Sequence, residues 1–184
     1  KKHKTMKFII HGGTLSRSLQ SISSVVPSGR TMPILLNFLM EVENEELKIT
    51  ASDLETTITV KLNPSMLEQD QVNKIAIPAK MFLEVVNSLS SQQITVEVKE
   101  NYSVEITAGT GRYKLVGEDP ASYPTAIELS DPALTTISSS VLVKAIGKTL
   151  FATGTGEMRP QMTGVLCEQT HNETIFVATD AHKL

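Results

Sequence analysis

Pro33–Asp53, PILLNFLMEVENEELKITASD, and Pro160–Asp180, PQMTGVLCEQTHNETIFVATD, superimpose without a gap when the chain is displaced by 127 residues. Pro33/Pro160, Leu39/Leu166, Glu41/Glu168, Glu46/Glu173, Ala51/Ala178 and Asp53/Asp180 are identical. Leu35/Met162, Phe38/Val165, Ile49/Phe176 and Ser52/Thr179 keep their character, and the same displacement sets Leu15 and Leu19 on Leu142 and Ile146. Self-similarity over this length marks a duplicated domain. A shorter echo lies inside the first copy, where EVENEELKITAS (Glu41–Ser52) resembles EVKENYSVEITAG (Glu97–Gly109) with one residue inserted. Each domain is therefore built from two halves.

The local pattern gives those halves their elements. Leu47, Ile49, Ala51 and Val104, Ile106, Ala108 alternate, and each run is entered through a polar turn, at Asn44-Glu45 or Glu100-Asn101, so both read as β-hairpins. Helical spacing places Leu15, Leu19, Ile22 and Val26 on one face, Phe82, Val85, Val86 and Leu89 on a second, and Leu142, Ala145, Ile146 and Thr149 on a third. Pro27 is expected to end the first helix and Pro78 to precede the second. Arg112–Gly117 supplies a closing strand, and Glu118–Pro124, EDPASYP, reads as a linker. The expected order is strand, helix and a run of antiparallel strands, repeated: an α+β class. The expected domains are 6–125 and 126–184, with the chain stopping inside the second. Residues 1–5 read as an artificial remnant ahead of a natural start at Met6.

Composition narrows the class. The 184 residues are 40% hydrophobic and 20% charged, as in a packed globular protein. The longest apolar runs fall far short of the roughly 20 residues of a membrane span, so no membrane partner is expected. A single cysteine, Cys167, excludes an internal disulfide and a zinc cage and fits a reducing cytoplasm. The net charge of −3 argues, as a sum, against nonspecific binding of nucleic acid. Its placement argues otherwise. The three helical segments carry Arg17, Lys80, Lys144 and Lys148 against the single acid Glu84. On one helix this would be ordinary solvated surface; on three in succession it is better explained by a basic face turned to a polyanion, contacting phosphates rather than bases.

The segment ATDAHKL (Ala178–Leu184) invites a catalytic reading, because Asp180 and His182 would share one side of an extended strand. Its counterpart in the first copy is ASDLETT, with Glu55 in place of the histidine, and no nucleophile in a strained Gly-x-Ser-x-Gly turn accompanies it. A turn-forming aspartate that bonds backbone amides, with the histidine contacting a partner, explains the segment better. His3, His11, His171 and His182 lack metal-ligand spacing, and Gly12-Gly13 and Gly154-Thr155-Gly156 complete no phosphate loop, so no metal or cofactor is expected. A hydrolase centred on Asp180 and His182 and a repeat-built scaffold with no nucleic-acid role are the competing classes.

MKFII (Met6–Ile10), RTMPIL (Arg30–Leu35), LKITASDLE (Leu47–Glu55), KIAIPAK (Lys74–Lys80), GRYKLVG (Gly111–Gly117), LFATGTGEMRPQMTGVL (Leu150–Leu166) and VATDAHKL (Val177–Leu184) together resemble the bacterial DNA polymerase sliding clamp family, the beta subunit of the replicative polymerase. The resemblance implies the DNA clamp fold: helix-plus-antiparallel-sheet half-domains, helices on one side and sheets on the other. It implies three such domains per chain and two chains closing into a ring of six around double-stranded DNA, without sequence preference and without catalysis. It adds Arg30 and the loop Thr153–Gln161, with Arg159, to the DNA-contacting residues Arg17, Lys80, Lys144 and Lys148. The loop departs from family members at Gly156, Pro160 and Gln161. A partner-peptide pocket for the replicative polymerase catalytic subunit, the clamp loader and clamp-binding repair proteins is implied at Met162, Thr179, Ala181, His182, Lys183 and Leu184. Here Met162 stands for a leucine, Ala181 for a glycine and Lys183 for an arginine. Extended alternation would turn Thr179 and His182 one way and Ala181 and Lys183 the other. The surface that closes the homodimer of the full-length protein is implied at Met81, Val85, Tyr113 and Leu115, apolar residues left uncovered in a single chain.

Overall fold

The computed structural model describes residues 5–29, 32–43, 46–69, 72–124, 134–156 and 158–183. The chain divides into two compact units, Lys1–Ile127 and Glu128–Leu184. In the first, β1 (Thr5–His11) leads into α1 (Gly12–Ser23), followed by β2 (Asn37–Glu43), β3 (Glu46–Ser52) and β4 (Thr57–Leu62). After β5 (Met66–Gln69) the succession returns as β6 (Lys74–Pro78), α2 (Ala79–Ser88), β7 (Gln93–Lys99), β8 (Ser103–Ala108) and β9 (Gly111–Val116). Strand, helix and three-strand meander thus occur twice.

The two halves exchange their first strands. β1 pairs antiparallel with β7 of the second half, in a sheet ordered β5-β1-β7-β8-β9, while β6 pairs antiparallel with β2 of the first, completing β4-β3-β2-β6. The register sets Met6 opposite Val98, Phe8 opposite Val96 and Ile10 opposite Ile94, so the buried residues of the two strands lie side by side. Alternation thereby fixes the pairing, since a one-residue slip would turn all three outward. β6 is buried on both faces, with Ile75 and Ile77 in the main core and Ala76 in a smaller cluster with Ile34, Leu35, Leu39 and Tyr123.

Helical spacing brings Leu15, Leu19 and Ile22 of α1 and Phe82 and Val86 of α2 into the main core. Where the helices meet, Ser16 Oγ donates to Asn87 Oδ1 at 2.5 Å and Gln20 Nε2 donates to the same oxygen at 3.1 Å. Gly12 is required at the start of α1, because a Cβ there would lie 2.2 Å from the Leu89 carbonyl oxygen. The helix ends at Ser23, short of Pro27, and Val26 lies beyond it. Ser21 and Ser23 donate to the carbonyls of Ser18 and Gln20, which draws those acceptors away from the helical ladder before the proline is reached.

Glu118–Pro124 is not a free linker. Glu118 bridges Ala76 through N–H to O bonds of 2.8 and 3.3 Å, the Asp119 carboxylate caps the Ala121 amide at 2.9 Å, and Tyr123 is only 6% exposed. Burial pushes the Tyr123 hydroxyl up to about 12. The segment clasps the first unit because the aromatic ring carries more apolar area than the surrounding polar residues can hold in water.

The second unit repeats α1, the 3-10 turn and the β2–β3 hairpin of the first, displaced by 127 residues. α3 (Ser139–Thr149) corresponds to α1, and the 3-10 turn Pro160–Met162 to the turn Pro33–Leu36. The hairpin β10 (Leu166–Gln169) and β11 (Thr174–Val177) corresponds to β2 and β3. Counterparts of residues that the first unit covers with its second half are open here: Leu39 is 8% exposed and Leu166 is 60% exposed. No helix among the described residues is long and apolar enough to cross a membrane.

Replacing Tyr123 by alanine should destabilise the first unit by about 3 kcal/mol, the cost of emptying a buried aromatic site, in urea unfolding. A loss below about 0.5 kcal/mol, the range of surface substitutions, would mean that the clasp contributes nothing.

Candidate functional site

Beyond β11 the chain does not continue as a strand. Thr179 Oγ1 accepts from the Ala181 amide at 3.0 Å and donates to the Lys183 carbonyl at 2.6 Å. Asp180 Oδ1 accepts from the amides of His182 and Lys183 at 2.9 and 2.8 Å, while its Oδ2 lies 3.0 Å from the Lys183 ammonium. Ala181 takes a left-handed φ of 75° so that the chain can reverse around these bonds. Lysine pairing first, and the two amide bonds next, hold the Asp180 carboxyl well below the usual carboxylate range.

The first unit makes the same turn. Ser52 Oγ accepts from the Leu54 amide at 3.2 Å, Asp53 Oδ1 accepts from Glu55 and Thr56 at 3.0 and 2.6 Å, and Leu54 takes a φ of 80°. The duplicated Ser/Thr-Asp pair is therefore a turn device in both copies. It also disposes of Asp180 as a partner for the His182 ring, since the carboxylate is engaged by the histidine's own amide. The side-to-side alternation expected of an extended ATDAHKL is corrected for the same reason.

In the second unit the turn forms one wall of an open cleft of about 810 Å³. Asp180, Ala181, His182 and Lys183 line that wall; Met162 and the loop Thr153–Gly156 with Met158 and Arg159 line the other. The loop is closed by Gly154 N–H donating to the Met162 carbonyl at 2.8 Å and Met162 N–H to the Arg159 carbonyl at 2.9 Å. Of the pocket residues expected from the sequence, Met162, Ala181, His182 and Lys183 meet at this cleft. Thr179 braces the turn without lining it, and Leu184 lies outside the described residues. Arg159, expected to face DNA, lines the same cleft. Nothing in the spacing of Arg159 and Asp180 announces this meeting; it depends on the fold of the loop back upon Met162.

The basic residues are exposed on their helices. Arg17 lies on α1, where its Nε donates to the Gly13 carbonyl at 3.2 Å, Lys80 lies on α2, and Lys144 and Lys148 lie on α3. Arg30 lies outside the described residues. No group of three or more His, Cys, Asp or Glu residues able to hold a metal occurs among the described residues.

Of the four residues expected at a ring-closing surface, Met81 is 53% exposed on α2, Tyr113 is exposed on β9 and Val85 is half-buried. Leu115 departs from the expectation that such residues are uncovered in a single chain. It is 5% exposed within this chain's own core, opposite Val104 on β8, and Val116 is the outward residue beside it. A charge at Leu115 would therefore act on folding of the first unit. β9 itself is the outer strand of its sheet, bonded along one edge to β8.

A tandem of α+β units, with exposed basic residues on the helices and a turn-walled cleft in the second, defines a duplicated-domain protein. The family model described as "DNA polymerase III beta subunit, N-terminal domain" matches residues 6–127, and that described as "DNA polymerase III beta subunit, central domain" matches residues 136–184. The chain belongs to the DNA polymerase III beta subunit family. It is 29% identical to the beta sliding clamp of Staphylococcus aureus over 184 residues, 97% of this chain and 49% of that protein. The DNA polymerase III subunit beta of Pseudomonas aeruginosa has a TM-score of 0.88 at 29% identity, over 96% of this chain and 47% of that one. A DnaN sliding clamp of the same organism, bound to griselimycin, has a TM-score of 0.87 at 29% identity, over 95% and 47% of the two chains. This chain spans about half the length of the curated relatives it matches.

The depressed pKa of Asp180 fixes the sign of a pH effect. Its folded-state value lies below the ordinary 3.8, so its contribution to the turn is complete above that value and is lost only as pH falls below it. The Asp180 carboxyl carbon resonance should accordingly hold constant from pH 7 to 3.8 and shift only at lower pH. A midpoint above 3.8 would contradict the assigned bonding.

Proposed function

We propose that this chain is part of a sliding clamp, a non-catalytic processivity factor of the cytoplasmic replication machinery. The full-length protein closes as a homodimeric ring around double-stranded DNA and tethers the replicative polymerase catalytic subunit. Clamp loader and repair proteins use the same cleft. Within this reading residues 6–125 form one clamp domain and 126–184 the beginning of the next. The observation that carries the tethering role is the cleft between Met162 and the Asp180 turn. It pairs an adaptable thioether with exposed Ala181 and His182, on a turn whose first-unit copy already shows it to be structurally self-sufficient.

DNA is held by encirclement and by few charges. Arg17, Lys80, Lys144 and Lys148 contact phosphates from the helices, with Arg30 and Arg159 at loop positions. An acidic protein gains nothing from its net charge here, so an unclosed chain binds weakly and its affinity falls steeply with salt. Ring closure uses Met81, Val85 and Tyr113 together with the free edge of β9, to which Leu115 contributes backbone while its side chain supports the core. Hydrolysis at Asp180 and His182 has no support in the bonding of the carboxylate.

Griselimycin, which is bound to a Pseudomonas aeruginosa relative, serves as the probe, and we place its site in this chain at the cleft. Titration followed through the Met162 methyl resonance should perturb Met162, Ala181 and His182 together. Met162→Ala should weaken binding by about 1 to 3 kcal/mol, as truncation of an interface anchor does, without altering the salt dependence of DNA binding. Binding untouched by Met162→Ala combined with His182→Ala would place the site elsewhere.

A further inference from the structure

The first unit shows how one half of a unit is completed by another. Its two strand exchanges follow a single register: Pro78 lies opposite Asn37 and Ile75 opposite Met40, as His11 lies opposite Gln93 and Phe8 opposite Val96. The residue before each helix, His11 or Pro78, is the common reference point, and each half gives its first strand and takes the other's in return. Two copies of one half can make the same exchange, because the relation between the halves is already reciprocal.

Both sides of that exchange are open in the second unit. Leu134–Ser138 is the counterpart of Lys7–His11 in β1 and ends, like it, at the residue before a helix. Leu-Thr-Thr-Ile favours a strand, yet it pairs with no strand among the described residues. It meets β10 through side chains, Thr135 Oγ1 donating to Gln169 Oε1 at 2.6 Å. β10, the counterpart of β2, is paired with β11 along one edge, and the edge that β6 takes on β2 is free among the described residues. A free edge beside exposed apolar side chains is a template for another strand. α3 shows the same opening. Ser16 and Gln20 of α1 contact Asn87 of α2, and their counterparts on α3 are Val143 and Gly147. Val143 is 72% exposed, and a Cβ at Gly147 would meet open space. Ile146 and Leu166 are exposed although their counterparts, Leu19 and Leu39, are buried.

We propose that in the 184-residue chain the second unit completes itself against a second copy of the same unit. Residues 134–138 of each copy add to the free edge of β10 in the other, and the two α3 helices pack through Val143 and Gly147. The register of the first unit then sets Ile137 opposite Val165 of the other copy and Thr135 opposite Cys167. The latter pair takes the place of Phe8–Val96 and Ile75–Met40, which are fully buried. Exchange in both directions makes the contact isologous, so it closes at two copies. A longer chain carrying its own second half would fill this face from within, as the first unit does. The inference rests on the repeat and the exposed face, and on neither the ring nor the cleft.

Thiol oxidation tests the register. Residues opposite one another on antiparallel strands have Cα atoms about 4.5 to 5.5 Å apart, within the span of a disulfide. With oxidised glutathione, Thr135→Cys should therefore link to Cys167 of a second copy, giving a covalent dimer on a non-reducing gel and a joined peptide pair by mass spectrometry. In sedimentation the parent chain should form a reversible dimer of twice its 20.1 kDa. Val143→Glu and Leu166→Glu, at exposed positions outside the core of either unit, should each raise the dissociation constant about thirtyfold or more, as loss of an interface anchor does. A monomeric parent chain, a Thr135→Cys link confined within one chain, or a dimer indifferent to both glutamates would overturn the inference. So would a dimer that Met81→Glu dissolves and Leu166→Glu leaves alone, because that contact would lie on the first unit.

Discussion

The exchange of first strands between the two halves of a unit is the constraint on which the rest depends. β1 cannot satisfy its inner edge without β7, and β6 cannot satisfy its edge without β2, so neither half closes its sheet alone. The buried sets Met6–Phe8–Ile10 and Ile94–Val96–Val98 meet only in that arrangement. α1 and α2 then lie side by side, bonded through Ser16, Gln20 and Asn87, and their outward faces are left for charge. The basic helical face is thus a consequence of how the sheets interlock.

The duplicated turn is one folding device set in two different surroundings. In both units a hydroxyl residue and an aspartate stop the second strand of a hairpin, β3 or β11, and reverse the chain through a left-handed residue. Leucine and alanine at φ of 80° and 75° accept a conformation natural to glycine, at a cost of order 1 kcal/mol each. The hydrogen bonds around them over-determine the turn and hold that strain. In the second copy the turn lines a cleft with methionine, arginine and histidine, and a lysine there bonds to the preceding helical segment.

Much of the fold was legible in the sequence because it was written twice. The displacement of 127 residues predicts α3, the turn at Pro160–Met162 and the β10–β11 hairpin one by one, and period alone predicts the core faces of α1 and α2. What stayed hidden depends on contacts between residues far apart in sequence. No local signal tells that Leu115 faces inward while Tyr113 is exposed, because the surroundings of β9 decide it. EDPASYP has the composition of a linker, and only the pocket formed by Ile34, Leu35, Leu39 and Ala76 makes Tyr123 a clasp. The cleft was half visible. Asp180 as a turn former followed from its type and position and Met162 from the family resemblance, whereas Arg159 on the same cleft required the loop to fold back.

The ring is the central claim, and topology tests it more directly than affinity does. The chain completed to the length of its relatives, loaded on a nicked circular plasmid and passed through a sizing column at high salt, should remain with the DNA. Cutting the plasmid once should release it, because nothing but encirclement holds it there. Equal retention on circular and linear DNA would contradict the account and make this a surface-binding protein.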